Sequence, residues 1–289
     1  MPDPACWFAS DLHGREERYR KLFALVAGKP PTALFLGGDL LPSGSLLFGN
    51  SRSGQGDFLG EFLLPALRRL RRELGPAYPR LFLILGNDDP RSQEAAFLDG
   101  AGEGLWEYIH NRRAQLGDHA VYGYACVPPT PFALKDWERY DVSRYVDPGS
   151  LAPEEGRTSI EMADDEKGLP FIEEELRALA GDDPLERAIF LFHSPPYQTA
   201  LDRAALDGRT VEGVPLDVHV GSIAVRRFIE ERQPWVTLHG HVHESARLSG
   251  SWRQAIGRTR CFSAAHDGPE LAVVCFDPAD PQRAGRRLV

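Results

Sequence analysis

Apolar residues in this chain gather into short continuous runs, each ended by a polar or glycine-rich turn. The runs cover residues 6–10, 33–36, 81–85, 188–192 and 235–238, with a late one at 271–276. Their length and their aromatic or β-branched content predict buried strands, although periodicity alone does not separate such a run from a buried helix segment. Helical spacing appears between them, at residues 16–27, 57–74, 170–180 and 222–232. In the first of these, Leu22, Phe23, Leu25 and Val26 share a face opposite a charged one. Strands alternating with helices predict an α/β architecture.

Two segments interrupt the alternation. Residues 42–56 are rich in Gly and Ser and are predicted to be a flexible loop. Residues 128–169 open on Pro128-Pro129-Thr130-Pro131 and hold few strand-like runs. That is too long for an ordinary connection, so an insertion, cap or binding loop is expected there. Within it, residues 130–140 mix aromatic and charged side chains. They are expected to overhang the functional site or to pack on a neighbouring subunit of a homo-oligomer. Nothing in the composition marks a domain boundary, and residues 1–289 are expected to form one domain.

The chemistry lies where polar residues follow the predicted strands. The first run leads into Asp11-Leu12-His13-Gly14, the second into Gly37-Gly38-Asp39 and the third into Gly86-Asn87-Asp88-Asp89. The fourth ends at His193, and the fifth runs into His239-Gly240-His241-Val242-His243. Open α/β sheets bind ligands at this C-terminal edge of their strands. Asp11 and His13, like His241 and His243, are two residues apart, so on extended backbone each pair points to one side. Oxygen and imidazole donors without thiolate suit manganese, iron, zinc or cobalt in a catalytic site better than a structural zinc. Two carboxylates, an amide and several imidazoles exceed the needs of one tetrahedral ion. A binuclear centre would use them all, activating a bridging water and clamping phosphoryl oxygens.

Composition narrows the setting. Of 289 residues 42% are apolar and 26% charged, the balance of a globular protein with a sizeable core. Net charge is -9. Residues 151–183 hold 11 acidic against 3 basic residues, so the remainder is close to neutral. That balance argues against nucleic acid as a partner. The basic run Arg68, Arg69, Arg71 and Arg72 falls on a predicted helix and reads as a solvated face. The four cysteines are scattered without a CxxC pair, which suits small buried side chains rather than a disulfide framework. The start of the chain does not read as a secretory signal, and no apolar run has the length of a membrane span, so a cytoplasmic location is the expectation.

The ordered set Asp-x-His, Gly-Asp, Gly-Asn-x-Asp, lone His and Gly-His-x-His, spread over residues 11–243, resembles the calcineurin-like metallophosphoesterases. The resemblance implies two mixed β-sheets packed as a sandwich flanked by helices, a four-layer αββα arrangement. It implies that Asp11, His13 and His243 hold one divalent ion, that Asn87, His193 and His241 hold a second, and that Asp39 bridges them. Manganese is favoured, with iron, zinc, cobalt or nickel as alternatives. The implied activity is hydrolysis of phosphate esters, diesters ahead of monoesters, by a metal-bridging hydroxide. The substrate would be a small phosphorylated molecule such as a nucleotide.

The sequence departs from the family pattern at one place. A histidine that normally follows the asparagine, and serves the leaving group or transition state, is Asp88 here. An ionised carboxylate beside two cations is a poor proton donor. Asp88 would then hold a water or another donor, or a different histidine would substitute, or the leaving group would need little protonation. His239 lies nearest in sequence to the ligands, and His110, His219 and His266 are unplaced. Asp89 is expected to orient a ligand histidine through its second ring nitrogen. The competing functional class is a metal-binding scaffold of the same fold with weak or no turnover, which Asp88 alone favours.

Overall fold

Each of the six apolar runs forms a strand in the computed structural model, which describes residues 6–44, 57–161 and 170–289. Residues 45–56 of the predicted flexible loop and 162–169 of the predicted insertion lie outside the described residues. Along the chain the strands are β1 (Cys6–Ala9), β2 (Ala33–Gly37), β3 (Arg80–Ile84), β4 (Glu107–Tyr108), β5 (Arg112–Leu116), β6 (His119–Tyr124) and β7 (Ala188–Phe192). There follow β8 (Thr210–Val211), β9 (Val214–Pro215), β10 (Val236–His239), β11 (Arg253–Ile256), β12 (Thr259–Ser263), β13 (Ala272–Phe276) and β14 (Gly285–Leu288). The helices are α1 (Glu16–Gly28), α2 (Leu64–Leu74), α3 (Glu94–Gly102), α4 (Ile172–Ala180), α5 (Ile223–Arg232) and α6 (Ser245–Ser249).

Twelve strands make two six-stranded mixed sheets, ordered β14-β13-β1-β2-β3-β4 and β11-β12-β10-β7-β6-β5. Each has four parallel strands with antiparallel strands completing it: β13 and β14 in the first sheet, β11 and β5 at the two edges of the second. Every residue of β1, β2, β7, β10 and β13 is buried, which is why these strands read as near-continuous apolar runs, with Thr237 and His239 of β10 as polar members. Phe262 of β12 meets Phe276 of β13 across the sandwich with ring centroids 5.9 Å apart. On the outer side of the second sheet Phe228 of α5 packs edge-on to Phe190, 5.1 Å away. Leu22, Phe23 and Val26 of α1 are buried as the helical spacing predicts.

The helices α2, α4 and α5 start later than the helical spacing predicts, by seven, two and one residues. The stretch 57–74 opens with a π-type turn at Phe58–Leu63 before α2. Asp57 holds that turn by accepting from Gly60 N at 3.0 Å. Pro65, lacking an N–H, sits where α2 begins and needs no donor. α5 is capped by Ser222, whose hydroxyl accepts from Val225 N at 2.9 Å. The Asp141 carboxylate also sits on this helix end, accepting from Ile223 N and Ala224 N.

Residues 130–140 divide into an exposed part at 131–133, where Phe132 is 60% exposed, and a buried part at 135–140. Lys135 and Glu138 form a fully buried ion pair at 2.6 Å. Glu138 also accepts from Thr130 N, and Lys135 Nζ donates to Thr130 O, so both charges are hydrogen-bonded. The braced segment docks beside the third strand-end motif: Trp137 Nε1 donates to Asp89 O at 2.8 Å and Asp136 accepts from Arg91 N at 2.7 Å. All four cysteines are free and buried. Among the described residues no helix is long and apolar enough to cross a membrane.

Candidate metal centre

The five strand-end motifs come from both sheets and meet at one place. Beyond β1 and β2 the chains continue side by side: Asp11 N donates to Gly38 O, His13 N to Asp39 O and Gly14 N to Leu40 O, at 2.8–3.0 Å. From the other sheet Gly240 N donates to His193 O at 2.9 Å. The two sheets are joined at the centre itself, where His241 N donates to Asp11 Oδ1 at 2.9 Å and the His193 ring nitrogen Nδ1 lies 2.7 Å from Gly37 O.

Donor atoms of Asp11, His13, Asp39 and His243 all lie within 4.8 Å of one another. His13 Nε2 is 3.0 Å from His243 Nε2 and 3.7 Å from Asp39 Oδ2, and His243 Nε2 is 3.5 Å from Asp11 Oδ1. A second set surrounds His193: its Nε2 is 3.0 Å from Asn87 Oδ1 and 3.4 Å from Asp39 Oδ2, and its ring centroid is 5.2 Å from that of His241. Asp39 Oδ2 thus stands between the two sets. Because His193 Nδ1–H donates to a carbonyl oxygen, the neutral ring would keep its lone pair on Nε2, where Asp39 and Asn87 converge.

Three features fit these residues to cations. Asp11 Oδ2 is buried with no hydrogen-bond partner among the described residues, an unmet acceptor of the kind a metal ion satisfies. Burial opposes charging of His13 and His193, yet carboxylates outweigh it. Asp88, Asp39 and Asp11 raise His13 to about 9, and Asp39 and Asp11 raise His193 to about 9. Asp39 and Asp11, although buried, are held below the usual carboxylate range by neighbouring imidazoles, His193 and His13 for the first and His243 and His193 for the second. The cluster therefore attracts positive charge, and neutral imidazoles with bound cations would supply it. Finally, four of the donor positions have left-handed backbone: Asp11 (φ 57°), His13 (47°), Asp39 (51°) and His241 (73°). Such strain collects at functional sites.

Two expectations need correction. Asp89 orients no histidine. Its buried carboxylate accepts from Leu40 N, Leu41 N and Gly86 N at 2.7–3.0 Å and so ties the second motif to the third. Burial and the charge of Asp39 raise it to about 7 against those three donors. His239, the nearest substitute proton donor in sequence, is fully buried and stacked on Phe192. Its Nδ1 lies 2.9 Å from Ser194 O and its Nε2 2.8 Å from Thr237 Oγ1, so both nitrogens are engaged inside the protein. Burial lowers it to about 4. Asp88, by contrast, is at the centre: its backbone N–H donates to Asp39 Oδ1 at 2.8 Å and its carboxylate lies 3.2 Å from His13 Nδ1.

Sequence reasoning missed the supports. Buried Arg18 of α1 donates to Asp11 O at 2.9 Å and holds the first motif in place. In the sequence it looks like any charge on an amphipathic helix. Gly37 O acts through the backbone and leaves no residue-type signal. A cleft of about 860 Å³ opens beside His13 and His243 and is lined further by Arg15, Ser43, Phe58 and Phe62.

The model of the calcineurin-like phosphoesterase family matches residues 6–245. One solved chain superposes with a TM-score of 0.58 at 18% identity, covering 99% of this chain and 98% of its own. TT1561 of Thermus thermophilus superposes with a TM-score of 0.55 at 16% identity, over 99% of each chain. Identities this low establish a shared fold. No curated protein matches the chain. Since the family match runs through all five strand-end motifs, the chain belongs to the calcineurin-like phosphoesterase family.

Proposed function

We propose that this chain hydrolyses phosphate esters, diesters in preference to monoesters, with two divalent ions held at the strand ends. Asp11, His13 and His243 take one ion, Asn87, His193 and His241 the other, and Asp39 both. Manganese is the favoured metal. The observation that carries this reading is Asp39 Oδ2, within 3.7 Å of His13 Nε2 and 3.4 Å of His193 Nε2, so that one carboxylate serves both donor sets. Bound divalent ions would acidify a water and clamp the phosphoryl oxygens for in-line attack. The remaining tasks fall to the protein. His193 is held so that the neutral ring would leave Nε2 open, and the cleft beside His13 and His243 has room for an organic group as large as a nucleoside. Arg15 in that cleft offers a guanidinium to a further phosphate of the substrate, which suits a nucleotide.

Like His239, three further histidines outside the donor sets have other partners. His110 Nδ1 accepts from Ala125 N, His219 pairs with Asp202, and His266 pairs with Glu270. This supports substrates whose leaving group departs with little protonation. The test is hydrolysis of aryl phosphate mono- and diesters of graded leaving-group pKa, with added manganese, by the protein and by His241→Ala. Loss of an outer-shell partner alone costs roughly 10–100-fold, so the ligand variant should fall by more than about 100-fold. Rates should drop steeply as the leaving group becomes more basic. Equal rates for protein and variant would instead support the scaffold reading.

A further inference from the structure

The third motif places Asp88 where the family pattern has a histidine, and its geometry is that of a carboxylate holding an imidazole. We propose that Asp88 is a positioning residue: it fixes the tautomer and tilt of His13 so that Nε2 is presented to the first ion. This rests on the two-metal reading above.

Asp88 Oδ2 lies 3.2 Å from His13 Nδ1. An ionised carboxylate only accepts, so in this contact Nδ1 carries the hydrogen, and in the neutral ring that a cation would bind the lone pair is on Nε2. That nitrogen is the one facing His243 Nε2 at 3.0 Å and Asp39 Oδ2 at 3.7 Å. Ser43 Oγ, 3.0 Å from the same Nδ1, is a second neighbour, and a hydroxyl can play either role. It therefore does not choose the tautomer, whereas Asp88 does. The carboxylate is held in place through its own backbone, because Asp88 N–H donates to Asp39 Oδ1 at 2.8 Å. Asp89, the neighbour expected to perform this task, has its oxygens committed to Leu40 N, Leu41 N and Gly86 N. His193 receives the equivalent support from Gly37 O. Each donor set thus contains a histidine whose outer nitrogen is tied, one to a carbonyl oxygen and one to Asp88.

Metal affinity, rather than turnover alone, tests this. Manganese binding to the metal-free protein, Asp88→Ala, Asp88→Asn and Ser43→Ala is followed by competition with a chromophoric chelator, with circular dichroism to establish folding. Asp88→Ala is expected to weaken one of two bound ions by roughly 10–100-fold and leave the other unchanged. Asp88→Asn, whose amide oxygen still accepts from Nδ1, should lose less than Asp88→Ala. It also keeps the test open if the alanine variant does not fold. Ser43→Ala should lose little. Unchanged affinity in folded Asp88→Ala, with turnover lost, would overturn the positioning role and make Asp88 a catalytic residue. Failure of the unmodified protein to bind two ions would sink the two-metal reading itself, an outcome distinct from the first.

Discussion

Gly86 shows how closely the centre is packed. A Cβ there would lie 2.3 Å from Asp39 Oδ1, 2.5 Å from Asp39 N and 2.7 Å from His193 Cε1. These atoms are backbone, or side chains already held by other bonds, so none can give way cheaply. Gly86→Ala should destabilise the metal-free protein by about 1–3 kcal/mol, the range for an overpacked site. Because the displaced groups are the shared carboxylate and a ligand imidazole, the larger effect should be on metal stoichiometry. Calorimetric titration with manganese reads that directly, and two ions bound at the original affinity would refute the packing argument. Gly38 is constrained twice over: its φ of 94° suits glycine, and a Cβ would come within 2.6 Å of His193 Nδ1.

At the scale of elements, the segment around residues 130–140 supports the third motif. Its stability depends on a buried ion pair, and such pairs are costly to break from one side. Lys135→Met would leave the Glu138 carboxylate buried with only the Thr130 groups as donors. Burial already raises Glu138 to about 7 against Lys135 and Thr130, so the site tolerates the charge poorly. The single variant is expected to lose about 3–5 kcal/mol in urea unfolding. Lys135→Met combined with Glu138→Gln should recover part of that loss, because no unpaired charge remains. If the double variant is no better than the single one, packing rather than charge is what Lys135 contributes. Trp137 and Asp136 hang from the same segment and grip Asp89 O and Arg91 N, so its loosening should also reach the metal centre.

For the molecule as a whole, buried neutral histidines set part of the response to acid. His110 is lowered to about 3, by burial first and then by Arg139 and Arg91. Its ordinary value is 6.5, so between about 6.5 and 3 the unfolded chain binds a proton that the folded one does not. Stability from this group is complete above 6.5 and is lost as pH falls, with a slope of up to about 1.4 kcal/mol per pH unit. Asp89 and Glu138, raised to about 7, bind protons in the folded state over an overlapping window and act in the opposite sense. The histidine contribution is therefore read as a difference. His110→Gln keeps an acceptor for Ala125 N and should show a shallower loss between about pH 6.5 and 4.5 than the unmodified protein, by about one proton's slope. Parallel stability curves would exclude His110 as a source of acid sensitivity.

Strands buried on both faces are largely apolar, so most of β1, β2, β3, β7, β10 and β13 could be read from composition, with buried Thr237 in β10 and exposed Arg80 in β3 as the exceptions inside them. The polar groups at the ends of β1, β2, β3, β7 and β10 stood out against them for the same reason. Local sequence therefore determined the α/β class, the helices α1, α2, α4 and α5 and the seven candidate donor residues, while α3 and α6 were not read from it. β5 and β14 escaped notice because edge strands face water: Arg112, Arg113 and Arg287 lie where an apolar run would be needed. Only the tertiary structure decided which strand ends come from which sheet and how near Asp39 Oδ2 lies to His13 Nε2 and His193 Nε2. It also decided that Asp88, not Asp89, meets a ligand histidine, and that His239 is locked between Ser194 O and Thr237 Oγ1. Burial is written into local periodicity. Hydrogen-bond partners depend on which distant segments folding brings within about 3 Å, and no local pattern specifies that.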